Sequence, residues 1–310
     1  MKLESLEIYI NFMNPLTMLK SINNFKPLLK LRIYFELVRA KKTIWWWLNT
    51  LTGVFLASSF PPPFGGALTV IFAIGFTTFS VYALNDICDE ELDRINSPDR
   101  PIPSRRLSRA EAMRPVLLLS AMGIIIASSL NIMVLFFTVI FFLVGVVYSV
   151  NPFRLRKGLL ANPCMALGAA VSILAGASAV QIVGRALFGA VGMSFFVFAL
   201  GSWKDMKDVE GDRAMGVRTL PVRIGEEKAL KFLTVNSVPV FLILFLGYLF
   251  YSFNPLYLLM LVVAVGIYVN IFTLIWRNPK DRVNCERAYN RMILSGLFVI
   301  LAFILGSICD

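Results

Sequence analysis

The chain has 310 residues, 57% of them hydrophobic and 16% charged, with a formal net charge of +11 and no histidine. Soluble domains carry roughly 25% charge, whereas repeated uncharged runs of about 20 residues read as membrane-spanning helices. The missing imidazole excludes a Ser-His-Asp triad, a histidine-ligated metal and a histidine base. Four scattered cysteines without C-x-x-C spacing suggest neither a zinc site nor a disulfide framework.

In chain order, residues 1–32 form a basic N-terminal extension and residues 33–310 a transmembrane domain. The opening MKLESLEIYINFMNPLTMLK has no continuous apolar core after its first lysine, so it does not read as a signal peptide. Nine apolar spans follow, at about 43–60, 66–85, 114–130, 132–150, 161–180, 186–203, 230–250, 255–276 and 289–308. Trp45, Trp46 and Trp47, early in the first span, read most simply as interfacial anchors. The fifth span is rich in Ala, Gly and Ser, which suits close helix packing in lipid. Of the 30 Lys and Arg residues, 29 precede the first span or lie in the connections from an even-numbered span to the next. Arg185 is the exception. The bias predicts an all-α, multi-pass protein of the cell membrane, with nine transmembrane helices around a central cavity. Its N-terminus would be cytoplasmic and Asp310 outside. Topology then accounts for the positive charge, and nucleic acid is not a predicted partner.

Nine of the 19 acidic residues fall in two windows. Asp86, Asp89, Glu90, Glu91 and Asp93 close the second span, and Asp205, Asp208, Glu210 and Asp212 close the sixth. Both windows read D-x-x-D-x-x-x-D-R, ending in Arg94 and Arg213. Downstream, RPIPSRRLSRAEA from Arg100 parallels RTLPVRIGEEKA from Arg218, so the pattern is a weak internal repeat. At about 100° per residue, Asn85, Asp89 and Asp93 step by about 40° each, and Asp205, Asp208 and Asp212 share an arc of about 60°. Each window predicts a carboxylate stripe on one helix face, with Glu90 and Glu91 off the first stripe and facing solvent. Oxygen donors without His or Cys suit Mg²⁺ or Ca²⁺. Mg²⁺ usually combines one or two carboxylates with substrate phosphates. With basic loops beside both stripes, the pattern predicts a metal-dependent clamp for a diphosphate. A charged helix end at a membrane surface is more often simply solvated, and the duplicated spacing is what argues otherwise. An Asp in lipid costs roughly 2.5–3.5 kcal/mol, so the stripes should face a cavity inside the bundle.

NDICDEELDRINSPDRPIPS (85–104) and DMKDVEGDRAMGVRTLPVRIG (205–225) resemble the two signature motifs of the UbiA superfamily of intramembrane prenyltransferases. The resemblance extends over about 33–308. It implies nine helices, with the motifs at the cytoplasmic ends of the second and sixth. It also implies that a prenyl diphosphate donor binds through Mg²⁺, that its allylic carbon becomes cation-like, and that a lipid-like acceptor attacks that carbon. By motif match, Asn85 and Asp89 hold one Mg²⁺, and Asp208 and Asp212 the other. Asp86, Asp93 and Asp205 are further ligands or support them. Arg100 matches the arginine of the family's R-P-x-P segment. YSVNPFRLRKGLLANP resembles the family's Tyr-then-Lys segment. There Tyr148 would shield the cation, and Arg154, Arg156 or Lys157 would hold diphosphate. A membrane-interface anchor and a topogenic loop are the plainer readings of these residues. ELVRAKKT departs from the common E-L-x-R-P-x-N: Arg39 matches, but Ala40 replaces Pro and Lys42 replaces Asn. INSPDRPIPSRRLS looks most like members that make ether lipids, where geranylgeranyl diphosphate alkylates geranylgeranylglyceryl phosphate. An aromatic or tetrapyrrole acceptor is the alternative. A cation transporter would also use acidic stripes, but its site is expected near the midplane at broken helices.

Overall fold

The computed structural model describes residues 26–58, 60–276 and 278–308. Most of the predicted basic extension, and Asp310, lie outside these residues. Every regular element among them is helical. Helix α1 (Lys26–Leu37) crosses the predicted boundary at 33. It is followed by α2 (Ala40–Ala57), α3 (Phe64–Cys88), α4 (Glu90–Asn96), α5 (Arg109–Ser128) and α6 (Ile132–Ser149). After a 3₁₀ turn at Leu155–Lys157 come α7 (Ala161–Ser178), α8 (Gly184–Leu200), α9 (Trp203–Lys207), α10 (Val209–Ala214) and α11 (Leu220–Ile224). The long helices α12 (Glu226–Tyr251), α13 (Pro255–Ile275) and α14 (Arg282–Gly306) complete the chain.

Local sequence explains the starts. Ser108 and Glu111 form a capping box at α5. Asn131 accepts from Val134 N at 2.9 Å before α6. Asn254 caps α13, whose first residue is Pro255, a position where the missing N–H costs nothing.

Eight segments among the described residues are long and apolar enough to cross a membrane: α3, α5, α6, α7, α8 continued through α9, α12, α13 and α14. The first predicted span is helix α2, which is not among these eight. Its polar side chains turn inward instead. Thr43, Asn49, Thr50 and Thr52 are fully buried, and Thr50 donates to Trp46 O at 2.9 Å.

The innermost helix is α7, packed by α2, α3, α6 and α8. Its small residues allow this. Neither Gly53 against Ile173 O nor Gly176 against Thr50 O leaves room for a Cβ, so α2 and α7 meet backbone to backbone. The three tryptophans, read from sequence as interfacial anchors, pack against other helices. Each is received by a glycine on a different helix: Trp45 by Gly296, Trp46 by Gly168 and Trp47 by Gly75. Large rings on small residues fill the bundle at interior density. Because α14 packs on both α13 and α2, the last long helix meets an early one and closes the bundle.

Candidate active site

The predicted repeat is visible in the backbone. Helix α3 ends at Cys88 and α4 begins at Glu90, with Asp89 between them at φ −102°, ψ 7°. Helix α9 ends at Lys207 and α10 begins at Val209, with Asp208 between them at φ −103°, ψ 7°. Each stripe is therefore two short faces joined at an aspartate, not one continuous helical face. The hydrogen bonds reseed in the same way on both sides: Asp93 N donates to Asp89 O at 2.8 Å and Asp212 N to Asp208 O at 2.9 Å. The two copies touch where Gly211 of α10 lies against the Asn96 side chain, a contact with no space for a Cβ.

In the first copy the carboxylates are buried and bound to arginines. Asp86, Asp89 and Asp93 are 1%, 0% and 2% exposed. Arg39 pairs with Asp86, Arg100 with Asp93, and Arg100 also reaches Asp86 at 3.5 Å. Arg156 pairs with Asp89, which Arg154 also contacts at 3.2 Å. Arg154 donates as well to Cys88 O at 2.5 Å. Asn85 donates to Ser149 Oγ at 3.3 Å. Arg39 and Arg154 both adopt left-handed backbone, at φ 49° and 37°. That conformation costs about 1–3 kcal/mol per residue and persists where the surroundings fix it. Here the buried ion pairs do so. Glu90, predicted to face solvent, is buried instead, because Arg94 (2.6 Å) and Arg109 grip it from two sides. Glu91 is exposed, as expected.

The second copy opens onto a cavity of about 500 Å³. Asp205, Asp208 and Asp212 line it, together with Tyr148, Arg156 and Lys204. Trp45, Trp46, Met165 and Phe196 form an apolar wall, and Tyr82 and Tyr289 also border the space. Asp212 accepts from Thr219 Oγ1 at 3.3 Å, and Lys207 lies 3.8 Å from Asp208. Burial, and then the neighbouring Asp208 charge, pushes the Asp212 carboxyl above the ordinary carboxylate range.

The cavity thus gathers Asp205, Asp208, Asp212, Tyr148 and Arg156 from the predicted set. Asp89 joins through Arg156. Asn85, Asp86, Asp93, Arg39, Arg100 and Arg154 form the buried network beside it. The Lys157 side chain is exposed and outside the cavity wall, while its carbonyl accepts from Arg218 N at 3.0 Å. Among residues not singled out from sequence, Tyr82 had a signal: it lies seven residues before Asp89, on the same helix face. It accepts from Trp46 Nε1 at 2.9 Å. Tyr289 and Thr219 had no such signal.

Carboxylates and cations at one end of a cavity, and aromatic rings along its wall, define a membrane-embedded enzyme for an anionic amphiphile. The chain belongs to the UbiA prenyltransferase family, whose model matches residues 46–303. It is a multi-pass membrane prenyltransferase. It is 28% identical to the digeranylgeranylglyceryl phosphate synthase of Sulfurisphaera tokodaii, over 88% of this chain and 98% of that one. It is 31% identical to the synthase of the same description from Methanococcus vannielii, over 90% and 99%. A solved structure described as giving structural and mechanistic insights into digeranylgeranylglyceryl phosphate synthase in membranes superposes with a TM-score of 0.71. That structure is 27% identical over 90% of this chain and 99% of its own. A UbiA homologue from Archaeoglobus fulgidus, bound to GPP and Mg²⁺, shares the fold with a TM-score of 0.70 at 19% identity, over 88% and 99%.

Proposed function

We propose that this enzyme transfers a geranylgeranyl group from geranylgeranyl diphosphate to the glycerol hydroxyl of geranylgeranylglyceryl phosphate, with Mg²⁺, in ether-lipid synthesis. The observation that carries this reading is the join, in one cavity, of three aspartates to an aromatic wall. The first suits a metal-bound diphosphate and the second a long isoprenoid chain. The two synthases above support the acceptor. The donor set supports the metal, since all available acidic ligands are hard oxygens. Among the described residues no three acidic groups converge on one point. A Mg²⁺ that completes its shell with diphosphate oxygens does not need three.

Asp208 and Asp212, with Asp205 beside them, would hold one Mg²⁺, and Asp89 with Asn85 the other. When bound, Mg²⁺ neutralises the departing diphosphate. Arg156 aims its charge at the same group. The bond from the allylic carbon to diphosphate oxygen breaks with its electron pair. The acceptor oxygen then bonds that carbon and its proton is released. Tyr148 presents its ring to the cationic carbon, and the tryptophan wall excludes water from it. The charge bias supports a nine-span topology that counts α2, with the N-terminus and the site on the cytoplasmic side.

The test is to incubate purified protein with Mg²⁺, geranylgeranyl diphosphate and a panel of acceptors, and to weigh the products. Addition of one geranylgeranyl unit to the phosphorylated glycerol lipid is the expected result. Transfer only to quinone or tetrapyrrole acceptors would replace the acceptor. Mg²⁺ flux into liposomes without any prenyl product would replace the reading altogether.

A further inference from the structure

Three cationic side chains line the cavity: Lys42, Arg156 and Lys204. Arg156 is committed to Asp89. Neither Lys42 nor Lys204 forms an ion pair among the described residues. The surroundings of Lys42 are one-sided. The charged groups that act on it most are Arg39, Lys204, Arg100 and Lys207, all cationic. Arg39 and Arg100 are neutralised by Asp86 and Asp93, and Lys207 lies by Asp208. Lys204 is offset in part by Asp205 and Asp208, whereas no carboxylate is among the groups that act most on Lys42, so Lys42 is the cavity cation left without a counter-charge. Like charges held together in a protein cleft attract an anion.

We infer that Lys42 and Lys204 form a second anion subsite in this cavity, distinct from the aspartate clamp, that takes the phosphate monoester of the acceptor. The inference rests on the function proposed above and extends it to a named specificity residue. Position separates the two anions. The cavity aspartates that would clamp the diphosphate lie on α9, α10 and the break between them, whereas Lys42 lies on α2. A phosphate monoester brings an additional charge of about −1.5 to −2, which two lysines balance. Lysine suits this role because its ammonium is a compact point charge that does not need the planar fork of a carboxylate pair. Position 42 is Lys where the resembled E-L-x-R-P-x-N segment has Asn. Lys42 sits at the start of α2, two residues before Ile44 and three before Trp45, both of which line the cavity. An acceptor whose phosphate binds Lys42 therefore has an apolar wall for its chain.

The test compares wild type with Lys42→Asn and Lys42→Arg in steady-state kinetics on the full-length protein. The acceptors are geranylgeranylglyceryl phosphate and its dephosphorylated alcohol. For Lys42→Asn, the KM for the phosphorylated acceptor should rise about tenfold, equivalent to about 1.4 kcal/mol. The donor KM and turnover on the alcohol should stay within twofold, and Lys42→Arg should recover most of the loss. Thermal shift without donor gives an independent reading. The phosphorylated acceptor should raise the melting temperature of wild type more than that of Lys42→Asn. A rise in donor KM would assign Lys42 to the diphosphate and overturn the subsite. So would equal losses on both acceptors, or no change in either KM. An equal Lys42-dependent shift from phosphatidylglycerol would make the site a general lipid headgroup contact. If wild type is stabilised by the phosphorylated lipid but never prenylates it, the proposed function fails while the subsite stands.

Discussion

The two aspartate segments have the same backbone and opposite surroundings. Asp89 and Asp208 occupy matching breaks, within a degree of each other in φ and equal in ψ. Yet the first copy is sealed, with its carboxylates under four arginines, while Asp205 and Asp208 of the second are half-buried on a cavity wall. The repeat preserved the scaffold and the partner sets diverged. Arginine, with its planar fork, can fix a buried carboxylate in one orientation. Lysine and threonine, which serve the second copy, leave oxygen lone pairs free for a cation. The comparison gives equivalent residues different settings: carboxylates held in place by arginines in the first copy, and carboxylates open to the cavity in the second.

The largest expected effect breaks the first copy. Asp89→Asn leaves Arg154 and Arg156 buried without their counter-charge, and losing one partner of a buried pair costs about 3–5 kcal/mol. The expected outcome is a clear fall in melting temperature together with loss of turnover. Asp208→Asn should separate the two properties. Turnover should fall about 10²–10³-fold, the scale of removing one electrostatic stabiliser, with little change in melting temperature. If Asp208→Asn destabilises as much as Asp89→Asn, the contrast between the two settings is wrong. Next comes the contact between copies. Gly211→Ala pushes a methyl into Asn96 and should destabilise by about 1–3 kcal/mol through overpacking, measured by thermal unfolding in detergent. The smallest effect is expected away from both copies. Ser108→Ala removes the α5 cap and should cost about 1 kcal/mol, with turnover per folded molecule unchanged.

How much of this was legible in the sequence depended on range. The long helices and both acidic windows were readable because hydropathy and spacing are local properties. The repeat was readable because its period survives in residue types. The partners were not. Arg39 meets Asp86 from 47 residues away, and Arg154 meets Asp89 from 65. No local pattern states such a pairing. The breaks at Asp89 and Asp208 were also hidden, because neither Gly nor Pro marks them. Glu90 was misread for a related reason. Helical projection gave its direction correctly relative to the stripe, but not the arrival of Arg109 at its outer side. Among the tryptophans, sequence alone could not show that three glycines on three other helices would receive them.

The crossing of α2 and α7 has a mechanical consequence. Gly53 and Gly176 hold the two backbones together at the far half of α2, and Lys42 stands eleven residues nearer the other end. At 1.5 Å per residue that is a lever arm of about 16 Å. Trp45, Trp46 and Trp47, wedged against α14, α7 and α3, hold the near end of that arm, so the glycines that receive them and those at the crossing together fix one wall of the cavity.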